Sequence, residues 1–283
     1  MRPVLARSVL YLPASNPRAI EKARTLPADV VILDLEDAVA PEMKDQARAA
    51  AVQALAEGGF RGAVGVRING LDSRWGAADL KAVSGARIIV APKVESAEAV
   101  RALSAALPAG CALWAMIETP AAVLRLDAIA GAGGALDALM FGTNDLSAAL
   151  DCGSSPDREP LKAWLAATVA AARAHGLMVL DGVFNGIDNA AGLAAECAQG
   201  RLYGFDGKSL IHPSQIEAAN AAFAPSAAEV ARAQAIVAVF SAPEAEGVGV
   251  IRVEGRMTER LHLAAAERLL ARHAAISSGI GAA

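Results

Sequence analysis

The sequence predicts a parallel (β/α)8 barrel with a helical C-terminal extension, and three observations carry that expectation. Short apolar runs alternate with amphipathic stretches eight times between Val4 and Phe223. Each strand–helix unit takes roughly 25–30 residues, which suits that barrel. Charged residues recur where successive strands end, the face that carries the chemistry in barrel enzymes.

Taken in order, Val4 to Leu12 is the first strand, stopped by Pro13. Asn16 followed by Pro17 is a helix start, an N-cap and a proline at the first helical position, and the helix runs to Leu26. The run VVILDLED, Val30 to Asp37, is nearly continuous in apolar residues, as expected for a strand buried on both faces. A helix follows from Pro41 to Ala56 and stops at Gly58-Gly59. On the third strand, Ala63 to Asn69, alternation puts Arg67 on one face with Gly65 and Asn69. Helix three covers Arg74 to Val83, strand four Arg87 to Lys93, and helix four Ser96 to Ala106. Strands five and six lie in the stretch Leu113 to Leu146, joined by one amphipathic helix from Ala121 to Gly131. Helix six spans Asp157 to His175, with Gly176 as its stop. Strand seven is Leu177 to Val183, helix seven Asp188 to Ala198, strand eight Leu202 to Ile211, and the last barrel helix Pro213 to Phe223. The barrel domain is thus set at 1–224. The extension, 225–283, holds helices over Ala227–Phe240 and Met257–Arg272 and a short extended segment, Val250–Val253, after the polar loop SAPEAEGVG.

Composition narrows the function. At 283 residues, 54% hydrophobic and 20% charged, the chain can bury a large core. A net charge of −4 with no basic run argues against a nucleic-acid partner. No apolar run reaches membrane-spanning length, and Arg7 and Pro13 interrupt the N-terminal apolar stretch. Cys111, Cys152 and Cys197 are far apart and form no metal or redox motif, which fits a cytoplasmic protein with reduced thiols.

Two carboxylates stand at the heart of the pattern. The strand LWAMIE ends in Glu118, and the stretch ALMFGTND ends in Asp145. In a parallel sheet both emerge at the same end. Paired acidic groups repel unless a cation sits between them, and Mg²⁺ is a usual resident. The structural alternative has one carboxylate capping a helix and the other paired with an arginine. Arg67 needs an anion if buried, and its planar fork suits a carboxylate on a substrate or, more plainly, Glu36. Further strand-end charges are Glu36, Asp37, Lys93, Asp181, Asp206 and Lys208, with a salt bridge between Asp37 and Lys93 as one structural use. No histidine belongs to a recognisable catalytic set. Trp114 and Met116 read as barrel packing.

Seven pieces, in order, resemble the citrate lyase β-subunit-like proteins, the group that includes malyl-CoA and citramalyl-CoA lyases. They are RSVLYLPASNP, VILDLEDAV, VRIN, APKVES, IETP, FGTNDL and GFDGKSLIHPSQ, spread over the barrel from Arg7 to Gln215. The resemblance implies a Mg²⁺-dependent carbon–carbon lyase acting on a CoA thioester and a 2-oxo acid. It implies Glu118 and Asp145 as metal carboxylates, with Glu118 also at the substrate, and Arg67 as the clamp on a substrate carboxylate. Glu36 and Asp37 would support metal waters and Arg67. It further implies a homo-oligomer, a trimer foremost, in which the extension reaches a neighbouring subunit. The family's G-x-M-x-D pattern there appears as Gly255-Arg256-Met257-Thr258-Glu259, with glutamate in place of aspartate. Glu259 is then the group that moves the proton. Lys93 and Lys208 would meet CoA phosphates or lock loops. Three other readings stay open: an acyl-CoA thioesterase, a CoA-independent pyruvate-type aldolase on the same scaffold, and a subunit that binds acyl-CoA without turnover.

Overall fold

Eight parallel strands close into a barrel in the computed structural model. They are β1 (Ser8–Pro13), β2 (Val30–Asp34), β3 (Ala63–Arg67), β4 (Ile88–Ala91), β5 (Ala112–Ile117), β6 (Leu136–Phe141), β7 (Met178–Asp181) and β8 (Gly207–Leu210). Each pairs with the next, and β8 returns to β1. The structure describes residues 4–242, 249–253 and 255–278. The chain divides into two compact units, one running to Phe223 and one starting at Ala224.

The barrel helices are α1 (Pro17–Arg24), α2 (Lys44–Glu57), α3 (Gly76–Ala82), α4 (Ala97–Ala106), α5 (Pro120–Val123), α6 (Leu126–Ala130), α7 (Thr143–Ala149), α8 (Lys162–Ala174), α9 (Ala190–Tyr203) and α10 (Ile216–Ala222). Polar side chains start several of them. Asn16 accepts the backbone N–H of Ala19, Ser96 that of Ala99, and Thr119 that of Ala122. The outward faces of the strands and the inward faces of the helices share one large apolar cluster.

Inside the barrel, Val9, Ile32, Ile88, Trp114, Met140 and Leu180 form a second cluster. Gly65 belongs to this layer for a steric reason. A Cβ there would lie 2.9 Å from Ile32 Cδ1 and 2.9 Å from Ile88 Cβ. The missing side chain on β3 makes room for large ones on both neighbours. Arg67, two residues on, points the same way and so enters the barrel mouth.

Several expected boundaries move, each for a local reason. The first strand begins at Ser8, not Val4. The second ends at Asp34, not Asp37, because the Asp34 carboxylate accepts the Glu36 N–H at 2.9 Å and turns the chain. The single helix expected over Ala121–Gly131 is two, broken at Leu124 and Arg125. The eighth strand starts at Gly207, because Leu202 and Tyr203 finish α9 and Gly204, at φ +102°, stops it. Asp206 therefore precedes β8 at the barrel's opposite end, where Arg173 pairs with it at 2.8 Å.

Asp181 and Lys208 meet away from the mouth. The fully buried Lys208 ammonium donates to Glu196 Oε1 at 2.7 Å and to the Gly182 carbonyl at 2.6 Å, with Asp181 Oδ2 at 3.3 Å. Arg158 completes the group by donating to Asp181 Oδ1 at 2.7 Å. Burial alone would raise the Asp181 carboxyl, but Lys208 and Arg158 hold it below its ordinary value. Lys208 is thus committed to locking β7, β8 and α9 together.

The second unit consists of α11 (Ala227–Phe240), an antiparallel pair of β9 (Val250–Val253) and β10 (Arg256–Glu259), and α12 (Arg260–Ser277). Ser226 and Glu229 form a capping box at the start of α11. Ala233, Ile236, Val253 and Ala266 make its core. The expected helix over Met257–Arg272 is corrected here. Gly255, at φ +79°, turns the chain so that Met257 pairs with Arg252 in the hairpin, and helix begins only at Arg260. Most of the loop SAPEAEGVG, residues 243–248, lies outside the described residues.

Lys208→Met should destabilise the barrel by about 3–5 kcal/mol, because it strands two buried carboxylates with one cation. Urea denaturation followed by circular dichroism measures this. A loss below about 1 kcal/mol would mean the group is not a buried ionic lock.

Candidate active site

The mouth is built from charges that the strand register brings side by side. Asp34, the last residue of β2, stands directly beside Arg67, the last of β3. Arg67 Nε donates to Asp34 Oδ1 at 2.7 Å, and Nη2 to Oδ2 at 2.5 Å. This is a bidentate, charge-assisted pair. The other side of the fork, Nη1, lies 2.9 Å from Glu36 Oε2. Glu36 Oε1 accepts from the Lys93 ammonium at 3.0 Å. Burial pushes the Glu36 carboxyl up, while Arg67 and Lys93 pull it back.

Glu118 follows β5. Its Oε1 accepts the backbone N–H of Lys93 at 2.8 Å. Its Oε2 is buried and has no hydrogen-bond partner. Burial, then the charge of Asp145, raise its carboxyl to about 7. Asp145 is not on a strand as expected. Strand β6 ends at Phe141, Gly142 follows, and Asp145 sits in the first turn of α7. Gly142 is required by contact: a Cβ there would fall 2.3 Å from Glu118 Cβ and 2.6 Å from its Oε2.

Asp34, Arg67 and Asp145 line a cavity of about 430 Å³, together with Tyr11, Met116 and Thr143 among others. Its floor is soft. The Tyr11 hydroxyl donates to Met140 Sδ at 3.4 Å, and Arg67 Nη1 lies 3.8 Å from Met116 Sδ. Burial holds the Tyr11 phenol above its ordinary range, against the pull of Arg67, so it stays a donor. A larger groove of about 870 Å³ shares Asp37 with the first cavity and is lined by Glu36, Lys93 and Trp75 among others.

The structure gathers Glu36, Arg67, Lys93, Glu118 and Asp145 at one mouth. Asp37 lines the cavity but does not reach Arg67. It faces solvent at the rim, 3.9 Å from Lys93 Nζ, and the support of Arg67 comes from Asp34 and Glu36 instead. The expected Asp37–Lys93 contact is therefore present but long. Asp34, Tyr11 and Gly142 are additions. The signal for Asp34 lies in the sequence: two residues before Glu36, it shares that residue's face of the strand. Glu259 belongs to the second unit, where it ends β10 and its N–H donates to His262 Nδ1 at 2.9 Å.

Among the described residues no group of three or more His, Cys, Asp or Glu could hold a metal ion. A hard divalent cation needs less from the protein. Mg²⁺ is commonly held by one or two carboxylates and completes its octahedron with waters and ligand oxygens. The orphaned Oε2 of Glu118, beside Asp145, fits that demand. It does not suit zinc, whose sites take three or four nitrogen, sulfur or carboxylate ligands from the protein.

Comparison with known proteins gives the same frame. The model of the HpcH/HpaI aldolase/citrate lyase family matches residues 7–213. The chain belongs to this family. It is 46% identical over 276 residues to a (3S)-malyl-CoA thioesterase of Cereibacter sphaeroides, covering 96% of both chains. It is 34% identical over 266 residues to the citrate lyase subunit beta of Escherichia coli, covering 89% of this chain and 88% of that one. Among solved structures it superposes on CitE of Mycobacterium tuberculosis in complex with magnesium, acetoacetate and coenzyme A. The TM-score is 0.77 at 32% identity, over 95% of this chain and 98% of that one. Among the described residues no helix is long and apolar enough to cross a membrane.

The raised Glu118 carboxyl has a measurable consequence for the metal-free protein. Its ordinary value is 4.5 and its folded value about 7. Between these, the folded state holds a proton that the unfolded state has released, so stability falls as pH rises through that window. The full cost, on the order of 3 kcal/mol, is reached above pH 7. Glu118→Gln should therefore raise the thermal midpoint in EDTA at pH 8 and leave it unchanged near pH 4.5. An unchanged midpoint at pH 8 would mean that Glu118 carries no unpaired buried charge.

Proposed function

We propose that this chain is a Mg²⁺-dependent enzyme acting on the CoA thioester of a short 3-hydroxy dicarboxylic acid, malyl-CoA being the type. It cleaves the carbon–carbon bond beside the hydroxyl to give a 2-oxo acid and an acyl-CoA, or runs the reverse condensation. The observation that carries the reading is that Asp145 and Arg67 line one cavity, free of cysteine and histidine, with the Glu118 carboxyl packed against Gly142 of that lining and under the charge of Asp145. Such a set stabilises charge on oxygen and needs no covalent intermediate.

Glu118 and Asp145 would hold the cation, which when bound acts as a Lewis acid toward the charge developing on substrate oxygens. Arg67, its fork fixed by Asp34 and Glu36, keeps N–H groups for a substrate carboxylate and so sets the reacting geometry. The 430 Å³ cavity suits the acid, and the adjoining groove gives an elongated thioester somewhere to lie. In the cleavage direction the hydroxyl loses its proton and the C–C bond breaks. Its electron pair passes to the α-carbon as the thioester enolate, which is then protonated. Glu259, lent by the extension of a neighbouring copy in a homo-oligomer, foremost a trimer, is the proposed proton carrier. The chemistry belongs in the cytoplasm, where CoA thioesters and reduced thiols are found together.

Thioester hydrolysis is the second reading, and the 46% identity to a malyl-CoA thioesterase favours it. One assay separates the two. Purified protein with Mg²⁺ and malyl-, citramalyl- or citryl-CoA is followed for free CoA and for oxo acid together. The lyase reading expects oxo acid without free CoA. Free CoA without oxo acid gives hydrolysis, and neither product would overturn both.

Arg67→Lys keeps the charge but loses the fork, and should lower kcat/KM by about 100-fold or more. Wild-type kinetics in that variant would end the clamp role. The part assigned to Glu259 is tested by mixing two inactive variants, Glu118→Gln and Glu259→Gln, after dissociation and reassembly. Partial recovery of activity supports donation between copies. No recovery in oligomers shown to have exchanged subunits removes it.

A further inference from the structure

Lys93 has a backbone conformation that its residue type does not favour. Its φ is +51°, one of three non-glycine residues in the left-handed region among those described. That region is costly for a residue with a Cβ, and such strain persists where the surroundings enforce it. Here the conformation has a visible product. With the chain turned this way, the Lys93 N–H donates to Glu118 Oε1 at 2.8 Å while the Val94 N–H reaches the Met116 carbonyl at 3.4 Å. From the other side, Gly142 leaves just the space that the Glu118 side chain fills. Glu118 is thus held by one oxygen, and its second oxygen stays without a partner. The restraint on Lys93 is also visible. Its ammonium reaches back to Glu36 Oε1 at 3.0 Å, and Glu36 in turn lies against Arg67 at 2.9 Å.

We propose that Lys93 is a positioning residue: its side chain, tied to Glu36, holds its backbone left-handed, and that backbone aims the free oxygen of Glu118 at the cation. The anion clamp at Arg67 and the cation carboxylate at Glu118 are in this way one mechanical unit, joined through Lys93. The inference rests on the reading that Glu118 holds Mg²⁺.

Substitution can separate backbone from charge. Lys93→Ala removes the tether and keeps the Cβ penalty, so the backbone should leave the left-handed region and Glu118 should lose its N–H. Lys93→Gly removes the same ammonium but adopts positive φ freely. Crystal structures of both variants without metal should show the contact between residue 93 N and Glu118 Oε1 broken in Lys93→Ala and kept in Lys93→Gly. Calorimetric titration with Mg²⁺ alone should show binding at least about fivefold weaker in Lys93→Ala than in Lys93→Gly, two variants that lack the same charge. Equal weakening in both variants would make the ammonium charge the cause and overturn the proposal. So would wild-type geometry and binding in Lys93→Ala. If the wild-type chain bound no Mg²⁺, the preceding functional reading would fall, while the two structures would still decide the role of Lys93.

Discussion

A guanidinium buried at a barrel mouth has to be neutralised, and the arrangement around Arg67 follows from that requirement. Asp34 takes one edge of the fork bidentately and Glu36 stands at the other. The two carboxylates overcompensate a single cation, and Lys93 joins from the rim through Glu36. Glu118 and Asp145 add two more negative groups. When all are ionised, the four carboxylates Asp34, Glu36, Glu118 and Asp145 stand against the two cations Arg67 and Lys93, leaving two negative charges. A divalent cation balances that deficit. Without one, burial and then the charge of Asp145 raise the Glu118 carboxyl to about 7, and its protonation removes part of the deficit.

The backbone turns this balance into geometry. Short strands end at the same level, so Asp34 and Arg67 are neighbours in register rather than by a long reach. The two positions that confine Glu118 are filled by the absence of a side chain at Gly142 and by a left-handed backbone at Lys93. Further from the mouth, the buried group of Asp181, Lys208, Arg158 and Glu196 fixes β7 and β8 at the other side of the barrel. The strand-end charges therefore divide into two jobs. Those near β2 to β6 surround a cavity, and those near β7 and β8 hold the wall.

Much of this was legible in the sequence, and the exceptions have physical causes. Arg67 and Glu118 could be found because strand alternation and strand ends locate a charged residue without knowledge of its partners. Asp34 lies within VVILDLED, where a nearly continuous apolar run reads as strand through to Asp37, so the sequence shows its face of the strand but not that the strand ends there. The chain turns at Asp34 only because that side chain binds the Glu36 N–H, a local bond that composition does not report. Asp145 was placed on a strand because FGTND carries no helix signal strong enough to outweigh the apolar run before it. Asp206 was assigned to the wrong end for a similar reason: Leu202 and Tyr203 are apolar enough to extend a strand backward, and only Gly204 in the left-handed region marks the break. The left-handed turn at Lys93 has no sequence signature at all, since lysine is a poor advertisement for positive φ. In the second unit the extended segment Val250–Val253 was read, but its partner β10 was taken into the following helix, because a four-residue strand lies below the length at which periodicity separates strand from helix.

The floor of the cavity completes the logic of the rim. Two donors there, the Tyr11 hydroxyl and Arg67 Nη1, face the thioethers of Met140 and Met116. A thioether is a weak acceptor, so these donors are satisfied loosely and exchange sulfur for an oxygen ligand at a net gain. The same side chains are buried and apolar, which lowers the local polarity and strengthens each charge interaction above them. Tyr11 also stacks beneath the Arg67 guanidinium, 5.3 Å from ring centroid to Cζ, so the ring fixes the plane of the fork whose edges Asp34 and Glu36 define. Rigid edges, a fixed plane and loosely held donors are what the proposed carboxylate clamp at Arg67 requires, and here they come from an aspartate, a glutamate, a tyrosine and a methionine drawn from three different strands and their ends.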